Sequence, residues 1–336
     1  MSNVSVLAVI LNWNGATDTL RCARSVLDQT GAKALVLVVD NGSTDDSLAR
    51  LQQANLPIEI LALDENKGFT GGMNAGAARA VAGGFEFTWL INNDAFPAPD
   101  CLTSLLDCMR RDPRVVMAGP RLLSPDGTEQ PAGGTIDWST GEIGYLNAAE
   151  FSSPLNNDQW LTGAAPLVRT SAFGATDPLE PSFFAYMEDV DLSIRLARAG
   201  GTLYAVPGAE VVHVGGSTSG GPTSPVAQFL FSRNVWLLLK RHSPRGSGRA
   251  SWLRFAANTM RRAALLDLEG RTDLANAVMA AISAARLNQF GPPPASLQPA
   301  RFESLAVRHP WRSIQLMNGL ARILERVVPA PARGAR

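Results

Sequence analysis

The sequence predicts an α/β protein built on a doubly wound, mostly parallel sheet flanked by helices, with a helical extension behind it. Three observations predict it. Apolar runs of strand length recur without polar interruption, as in VSVLAVIL at 4–11 and ALVLVV at 34–39; strands buried on both faces read this way. Stretches with helical spacing of apolar residues alternate with these runs, the pattern of a parallel sheet. The charge also reverses along the chain. Residues 1–225 hold 13 Lys and Arg against 25 Asp and Glu, a formal −12, and residues 226–336 hold 17 against 5, a formal +12. We read 1–225 as one domain and 226–336 as a basic helical extension.

Taken in order, Val4–Leu11 is the first strand. The loop NWNGATD and a helix through Leu20, Ala23, Val26 and Leu27 follow it. The second strand, Ala34–Val39, closes on Asp40-Asn41-Gly42-Ser43-Thr44-Asp45, which has turn and N-cap chemistry before a helix through Leu48 and Leu51. Ile58–Leu63 and Phe87–Ile91 are strands three and four, and a Gly/Ala-rich helix starting near Gly71 separates them. Pro99-Asp100 opens a helix over 98–111, and Val115–Pro120 is a short strand. Residues 120–160 are rich in Gly, Pro, Ser and Asn and read as loops or a small hairpin over the crevice. Trp160–Arg169 returns as a strand. FFAYMEDVDLSIRLARAGG at 183–201 is an acidic helix start with a glycine stop. Leu203–Val206 and Glu210–Val214 read as two short strands parted by Pro207-Gly208. From Val226 to about Asn288 the pattern is helical and Arg-studded. Gly291-Pro292-Pro293-Pro294 ends it, and a helix over Trp311–Val328 precedes a Pro/Arg tail that reads as disordered.

Composition excludes several classes. Cys22, Cys101 and Cys108 share no metal-ligand spacing and suit a reduced, cytosolic chain. The N-terminus has no charged and apolar leader pattern. No apolar run approaches the ~18 residues of a membrane span; the longest candidate, VWLLL at 235–239, ends in Lys240-Arg241-His242. The expected location is cytoplasmic, with peripheral contact at the inner face of the plasma membrane as the one membrane option. Nucleic acid is not an expected partner, because no reader motif is present and an acidic front repels a phosphate backbone.

Polar residues close the strands: Asn12, Asp40, Asp64-Glu65-Asn66 and Asn92-Asn93-Asp94. In a doubly wound sheet such ends converge on one crevice. LINNDAF at 90–96 sets two amides and a carboxylate after a buried strand, which is costly unless they bind something. Asn12 and Asn14 follow the first strand at that crevice, although Asn14-Gly15 also makes a simple turn. Gly68, Gly71 and Gly72 bring backbone N–H groups close at a helix start, or serve close helix packing.

VILNWNG (9–15), VVDNGSTDDS (38–47), NKGFTGGMNAG (66–76), LINNDAF, MEDVDLSIRLARAG (187–200) and VVHVGGSTS (211–219) stand in a telling order. Their succession resembles inverting family 2 glycosyltransferases with the GT-A fold, nearest their rhamnosyltransferase-like branch, over roughly residues 4–220. The resemblance implies that Asp40 accepts from a pyrimidine imide N–H, that Asn12 and Asn14 line the same base and ribose pocket, and that Lys67 contacts the nucleotide. LINNDAF becomes a departed DXD segment: its first acidic position is an asparagine, which leaves Asn93 beside Asp94 as the one carboxylate. Asp94 with His213 would hold a divalent metal, Mn²⁺ or Mg²⁺, and imidazole inclines the choice to Mn²⁺. Asp189 is the implied base, with Glu188 orienting acceptor or loop and Asp191 stabilising the helix start. The alternative is that all three complement the helix dipole. Trp160, Gly163 and Ala164 in WLTGAAPLVR match the segment beneath sugar and acceptor; Trp160 stacks on a sugar ring or belongs to the core.

The implied activity is metal-dependent, inverting transfer of a sugar, rhamnose for this branch. It would pass from a dTDP- or UDP-linked donor to a hydroxyl of a glycan or polyprenyl-linked glycan acceptor. The alternative is a non-catalytic sugar-nucleotide or glycan-binding protein on the same scaffold. A nucleotidyltransferase phosphate loop and a G-x-G-x-x-G dinucleotide fingerprint are both missing. Arg233, Lys240, Arg241, Arg245, Arg249, Arg254, Arg261 and Arg262 read either as contacts to anionic lipid or polyprenyl diphosphate, or as a solvated face of packed helices at a homodimer interface.

Overall fold

The computed structural model describes residues 5–151, 154–174, 178–215, 223–243 and 248–299, and beyond them residues 311, 312, 315, 316 and 319. The chain divides into two compact units, residues 1–135 with 144–218, and residues 136–143 with 219–336.

In the first unit β1 (Val6–Asn12), α1 (Ala16–Leu27), β2 (Leu35–Asp40), α2 (Ser47–Gln53), β3 (Ile58–Ala62), α3 (Gly68–Ala82) and β4 (Phe87–Asn92) alternate as expected. They are followed by β5 (Ala95–Pro97), α4 (Cys101–Arg111), β6 (Val115–Leu123), β7 (Glu129–Gln130), β8 (Gly133–Asp137), β9 (Glu142–Leu146), β10 (Gln159–Leu161), β11 (Leu167–Arg169), α5 (Glu188–Arg198) and β12 (Thr202–His213). The main sheet runs β3-β2-β1-β4-β11-β6-β12-β5, with β7 on β6, and a smaller sheet runs β10-β8-β9. In the main sheet the long ladders are parallel, and among the described residues the short strands β5, β7 and β11 pair antiparallel. This is the curled α/β sheet that the sequence predicts.

Alternation along β1 explains its unbroken apolar run. Val6, Ala8 and Ile10 pack in one core with Cys22, Ala23 and Val26 of α1 and Leu102, Leu105 and Met109 of α4. Leu7 and Val9 pack in another with Met73, Ala77 and Ala80 of α3. Each such buried side chain contributes about 1.5–3 kcal/mol. The small residues of α3 let it lie close on β1: a Cβ on Gly72 would meet Leu11 Cδ1 at 2.2 Å, and one on Gly76 would meet Val9 Cγ1 at 2.2 Å. Burial pushes the Cys22 and Cys101 thiols far up, which suits inert core residues.

Two strand expectations need correction. Trp160–Arg169 is not one strand. β10 and β11 belong to different sheets, and Thr162–Pro166 between them passes from one to the other: the Thr162 N–H still donates to Ala132, while the Ala164 and Pro166 carbonyls already accept from Asn92 and Leu90 of β4. Conversely, Leu203–Val206 and Glu210–Val214 are not separate strands. They form the single strand β12, whose register shifts between Val206 and Glu210, and Pro207 sits in that irregularity, where the missing N–H costs least. The 120–160 stretch contains the β8–β9 hairpin, joined by β10 into a sheet. α3 begins at Gly68, three residues before the sequence suggests, and α4 begins at Cys101.

The second unit contains α6 (Pro225–His242), α7 (Gly248–Leu268) and α8 (Thr272–Arg286). Ser224 caps α6 by accepting from the Ala227 N–H, with Pro225 at the first helical position. Trp236, Trp252 and Phe255 pack as an aromatic cluster with centroids 4.7–5.6 Å apart. Arg233 is buried over the Phe229 and Phe290 rings, and burial pushes its guanidinium down to about 10. Among the described residues no helix is long and apolar enough to cross a membrane. Trp311, Arg312, Gln315, Leu316 and Gly319 are helical. The rest of the expected 311–328 helix, the tail after it, the loop at Ser217 and Arg245 lie outside the described residues.

Candidate active site

Parallel pairing sets Asn12 opposite Asp40 and Leu11 opposite Asn92, so three strand ends meet at one edge of the sheet. Asn12 and Asp40 are buried there, at 0% and 2% exposure. The Asn12 amide donates to Asp40 Oδ1 (2.7 Å) and Ser43 Oγ (3.1 Å), and its Oδ1 accepts from Thr19 (2.7 Å). Ser43 donates to Asp40 through its hydroxyl (2.6 Å, to Oδ1) and its backbone N–H (3.2 Å, to Oδ2). A carboxylate offers about four acceptor sites, so Oδ2 retains capacity for a ligand N–H. Asn14, at φ 53°, clips two loops together: its Oδ1 accepts from the Thr44 N–H (2.8 Å) and its own N–H donates to Ser43 Oγ (3.0 Å).

Asn41 organises the next turn. It donates to Asn66 Oδ1 and to the Gly68 carbonyl, and accepts from the Lys67 N–H at 3.0 Å. Lys67 stands exposed at the start of α3, its ammonium without a partner among the described residues. Gly68 has φ 73°, and a Cβ there would lie 2.5 Å from the Phe184 carbonyl oxygen. The Thr70 N–H donates to that same oxygen at 3.1 Å. Gly68 therefore joins the α3 start to the segment leading into α5.

At the end of β4 the Asn92 side-chain oxygen is buried with no partner among the described residues. Asn93 donates to Thr19 Oγ1 (3.2 Å), which links it through Thr19 to Asn12 and Asp40. Asp94 and His213 meet across β5 and β12: Asp94 Oδ1 lies 3.4 Å from His213 Nε2, and the side chains are 6% and 16% exposed. Gln130 holds the other side of the imidazole, with Oε1 3.2 Å from Nδ1. A carboxylate oxygen and an imidazole nitrogen this close fit a divalent ion such as Mn²⁺ that completes its shell with other oxygens. Among the described residues no group of three or more His, Cys, Asp and Glu forms a metal cluster.

The second set of carboxyls opens α5. Phe184, Tyr186 and Met187 have φ of 65°, 70° and 73°, an unfavourable backbone for bulky residues that turns the chain sharply before Glu188. Asp189 Oδ2 accepts from the Gly163 N–H and Oδ1 from the Val190 N–H, both at 2.9 Å. Glu188 is 7% exposed, and its Oε2 has no partner among the described residues. Burial raises Glu188 well above the ordinary glutamate range, and the Asp189 charge pushes the same way. Burial raises Asp189 too, against the N–H donors that favour its anion. Asp191 is fully buried and pairs with Arg195 at 2.7 Å, a structural engagement.

One short segment ties the halves together. Gly163 holds Asp189, and the next residue, Ala164, accepts from the Asn92 N–H at 2.8 Å. Trp160 is buried in β10 against Tyr145, edge to face at 6.1 Å, and its indole N–H has no partner among the described residues. Thr19, Asn41, Ser43 and Gln130 belong to the site, although the sequence reading did not select them. Ser43 stands within VVDNGSTDDS and could have been found there, whereas GTEQPAGG around Gln130 has no distinguishing pattern.

Comparisons with known proteins agree on a family. Residues 7–165 match the model of glycosyl transferase family 2. An N-acetylglucosaminyl-diphospho-decaprenol L-rhamnosyltransferase of Mycobacterium tuberculosis is 32% identical over 232 residues, covering 62% of this chain and 75% of that protein. Among solved structures, the fold is similar to a mannosyltransferase from Pyrobaculum calidifontis in complex with GDP-Man and Mn²⁺. That likeness has TM-score 0.55 and 16% identity, and covers 97% of this chain and 88% of that one. It is also similar to GalNAc-T7 with UDP, GalNAc and Mn²⁺, at TM-score 0.56 and 15% identity; the match covers 87% of this chain and 59% of that one. Both structures support the GT-A fold.

Proposed function

This chain belongs to glycosyl transferase family 2, and from that membership we propose that it transfers a sugar, with inversion and with help from a divalent metal, from a dTDP- or UDP-linked donor to a hydroxyl of a lipid-linked glycan. The observation that carries the proposal is the Gly163–Ala164 link, which holds the buried Glu188–Asp189 pair against the strand end bearing Asn93 and Asp94. Rhamnose as the sugar, and a polyprenyl-diphosphate carrier on the acceptor, are supported by the activity of the mycobacterial relative. The chain acts in this reading at the inner face of the plasma membrane, with the basic residues of 226–336 turned to anionic headgroups.

Asp40 accepts from the pyrimidine imide, and Asn12 with Ser43 keeps its carboxylate oriented. Asn14, Lys67, Gly68 and Asn93 shape the ribose and diphosphate pocket, where Lys67 adds positive charge. Asp94 and His213 hold the metal, which when bound supplies positive charge against the departing diphosphate. Asp189, fixed by two backbone N–H groups, takes the proton of the acceptor hydroxyl. The acceptor oxygen bonds to the sugar C1 from the opposite face while the C1–O bond to the diphosphate breaks and its electron pair leaves with the diphosphate. A base whose affinity for protons is raised by burial suits that task near neutral pH. The unpartnered Glu188 Oε2 and Trp160 N–H are where sugar or acceptor hydroxyls dock, since buried polar atoms without partners are costly.

Asp189→Asn tests the reading. Release of nucleoside diphosphate in the presence of acceptor should fall about 10²–10⁴-fold, while dTDP or UDP affinity stays at the wild-type value. Retained turnover would refute the assignment of the base.

A further inference from the structure

His213 is held at its second ring nitrogen by a residue the mechanism above leaves unused. Gln130 in β7 donates through Nε2 to Ser124 Oγ (2.8 Å) and to the His213 carbonyl (2.9 Å), and turns Oε1 to His213 Nδ1 at 3.2 Å. A carbonyl can only accept, so the end of the amide facing it must be the NH₂. The reverse orientation would set oxygen against oxygen at 2.9 Å. Oε1 is thereby fixed as an acceptor, and Nδ1 must carry a hydrogen to meet it. The lone pair of the neutral ring then lies on Nε2, 3.4 Å from Asp94 Oδ1. Two electron-rich atoms at that distance repel unless something positive lies between them.

The supports of this arrangement are fixed as well. Arg121 pairs with Glu129 (3.2 Å) and Glu210 (3.1 Å), which ties β7 to β6 and β12 beside Gln130. The Val214 N–H donates to the Asp94 carbonyl at 3.0 Å, which fixes the two backbones that carry the pair.

We propose that Gln130 is a positioning residue that locks His213 in the Nδ1–H tautomer and so presents the Nε2 lone pair to a divalent cation shared with Asp94. The inference rests on the reading of Asp94 and His213 as the ligand pair, and adds the residue that prepares one ligand for it. A metal-bound histidine whose other nitrogen is hydrogen-bonded has a fixed ring and a more basic donor atom.

The chain has three histidines, so ¹⁵N-histidine labelling of the full-length protein gives a readable spectrum, with a His213→Gln variant to assign the signal. At a pH high enough that the histidine signals no longer move on further titration, metal-free wild type should show His213 as the Nδ1–H tautomer. Gln130→Leu should convert it to a mixture. An unchanged melting curve reports that each variant is folded. Mn²⁺ titrated with dTDP present should broaden His213 and spare His242, and its affinity should fall roughly 10–100-fold in Gln130→Leu. An Nε2–H tautomer in wild type, or a tautomer unmoved by Gln130→Leu, overturns the proposal. The expected tautomer and its response in a protein that binds no Mn²⁺ would instead overturn the metal reading and leave the Gln130 lock standing as a tautomer lock alone.

Discussion

Glu188→Gln removes one proton site from the most constrained part of the candidate active site, and the consequence can be worked out. Glu188 is 7% exposed, carries an Oε2 without a partner among the described residues, and has a pKa raised well above 4.5 by burial and then by the Asp189 charge. In the unfolded chain the carboxyl ionises near 4.5; in the folded protein it keeps its proton to higher pH. Over that interval the native state binds more protons than the unfolded state, so stability falls as pH rises. One proton gives a slope of up to about 1.4 kcal/mol per pH unit. The slope ends at the folded pKa, and the accumulated loss persists above it. Asp189, also raised, adds in the same sense from 3.8 upward, and the two carboxyls titrate as a pair. Glutamine cannot ionise, so the variant keeps only the Asp189 part. The assay is urea unfolding of both proteins at intervals between about pH 4.5 and 8, with chelator present so that no cation compensates the charge. The variant should gain on wild type steadily with pH; at roughly 2–4 °C per kcal/mol the effect is visible in melting curves too. A pH-independent offset added on top of that slope difference reflects only the changed hydrogen bonding of the amide and does not count for or against it. Parallel pH curves, or a variant that loses ground as pH rises, would refute the buried-acid reasoning.

Two further outcomes follow from packing. Gly76→Ala drives a methyl group to 2.2 Å from Val9 Cγ1, in a core where Val9 is fully buried, and should cost about 1–3 kcal/mol in urea unfolding; wild-type stability would mean that α3 can move off β1 freely. Asp191→Asn removes the carboxylate from Arg195, and because that guanidinium is 31% exposed the cost should be about 2 kcal/mol, below that of a fully buried pair. Nucleotide affinity should stay unchanged in Asp191→Asn, and its loss would mean that Asp191 serves the ligand directly.

Much of this protein was legible in its sequence, because the information is local. Apolar runs such as residues 6–11 and 35–39 must be strands covered on both faces, since no single polar face exists for water. The alternation of strand and helix then forces parallel pairing, and parallel pairing brings Asn12, Asp40 and Asn92 to one edge. The question posed by LINNDAF has its answer there: Asn93 joins the Asn12–Asp40 network, and Asp94 meets His213 from a strand more than a hundred residues away. Motif succession also identified the family.

What the sequence could not reveal depends on which distant segment supplies a hydrogen-bond partner. Trp160–Arg169 reads as one strand because apolar content alone does not say that β11 inserts antiparallel between β4 and β6 while β10 joins another sheet. The Pro207 interruption reads as a break because a register shift against β6 is invisible along β12 itself. Gln130, in a two-residue strand with no composition signal, clamps an imidazole 83 positions away. Likewise, only the folded chain decides that Asp189 is engaged by backbone N–H groups while its neighbour Glu188 is left with an unpartnered oxygen. Local propensity and apolar spacing set the elements and the strand ends. The pairing of polar atoms, and so the chemistry each can perform, is decided by tertiary structure, because burial turns every unpartnered donor or acceptor into a free-energy cost that only a specific distant neighbour or a ligand removes.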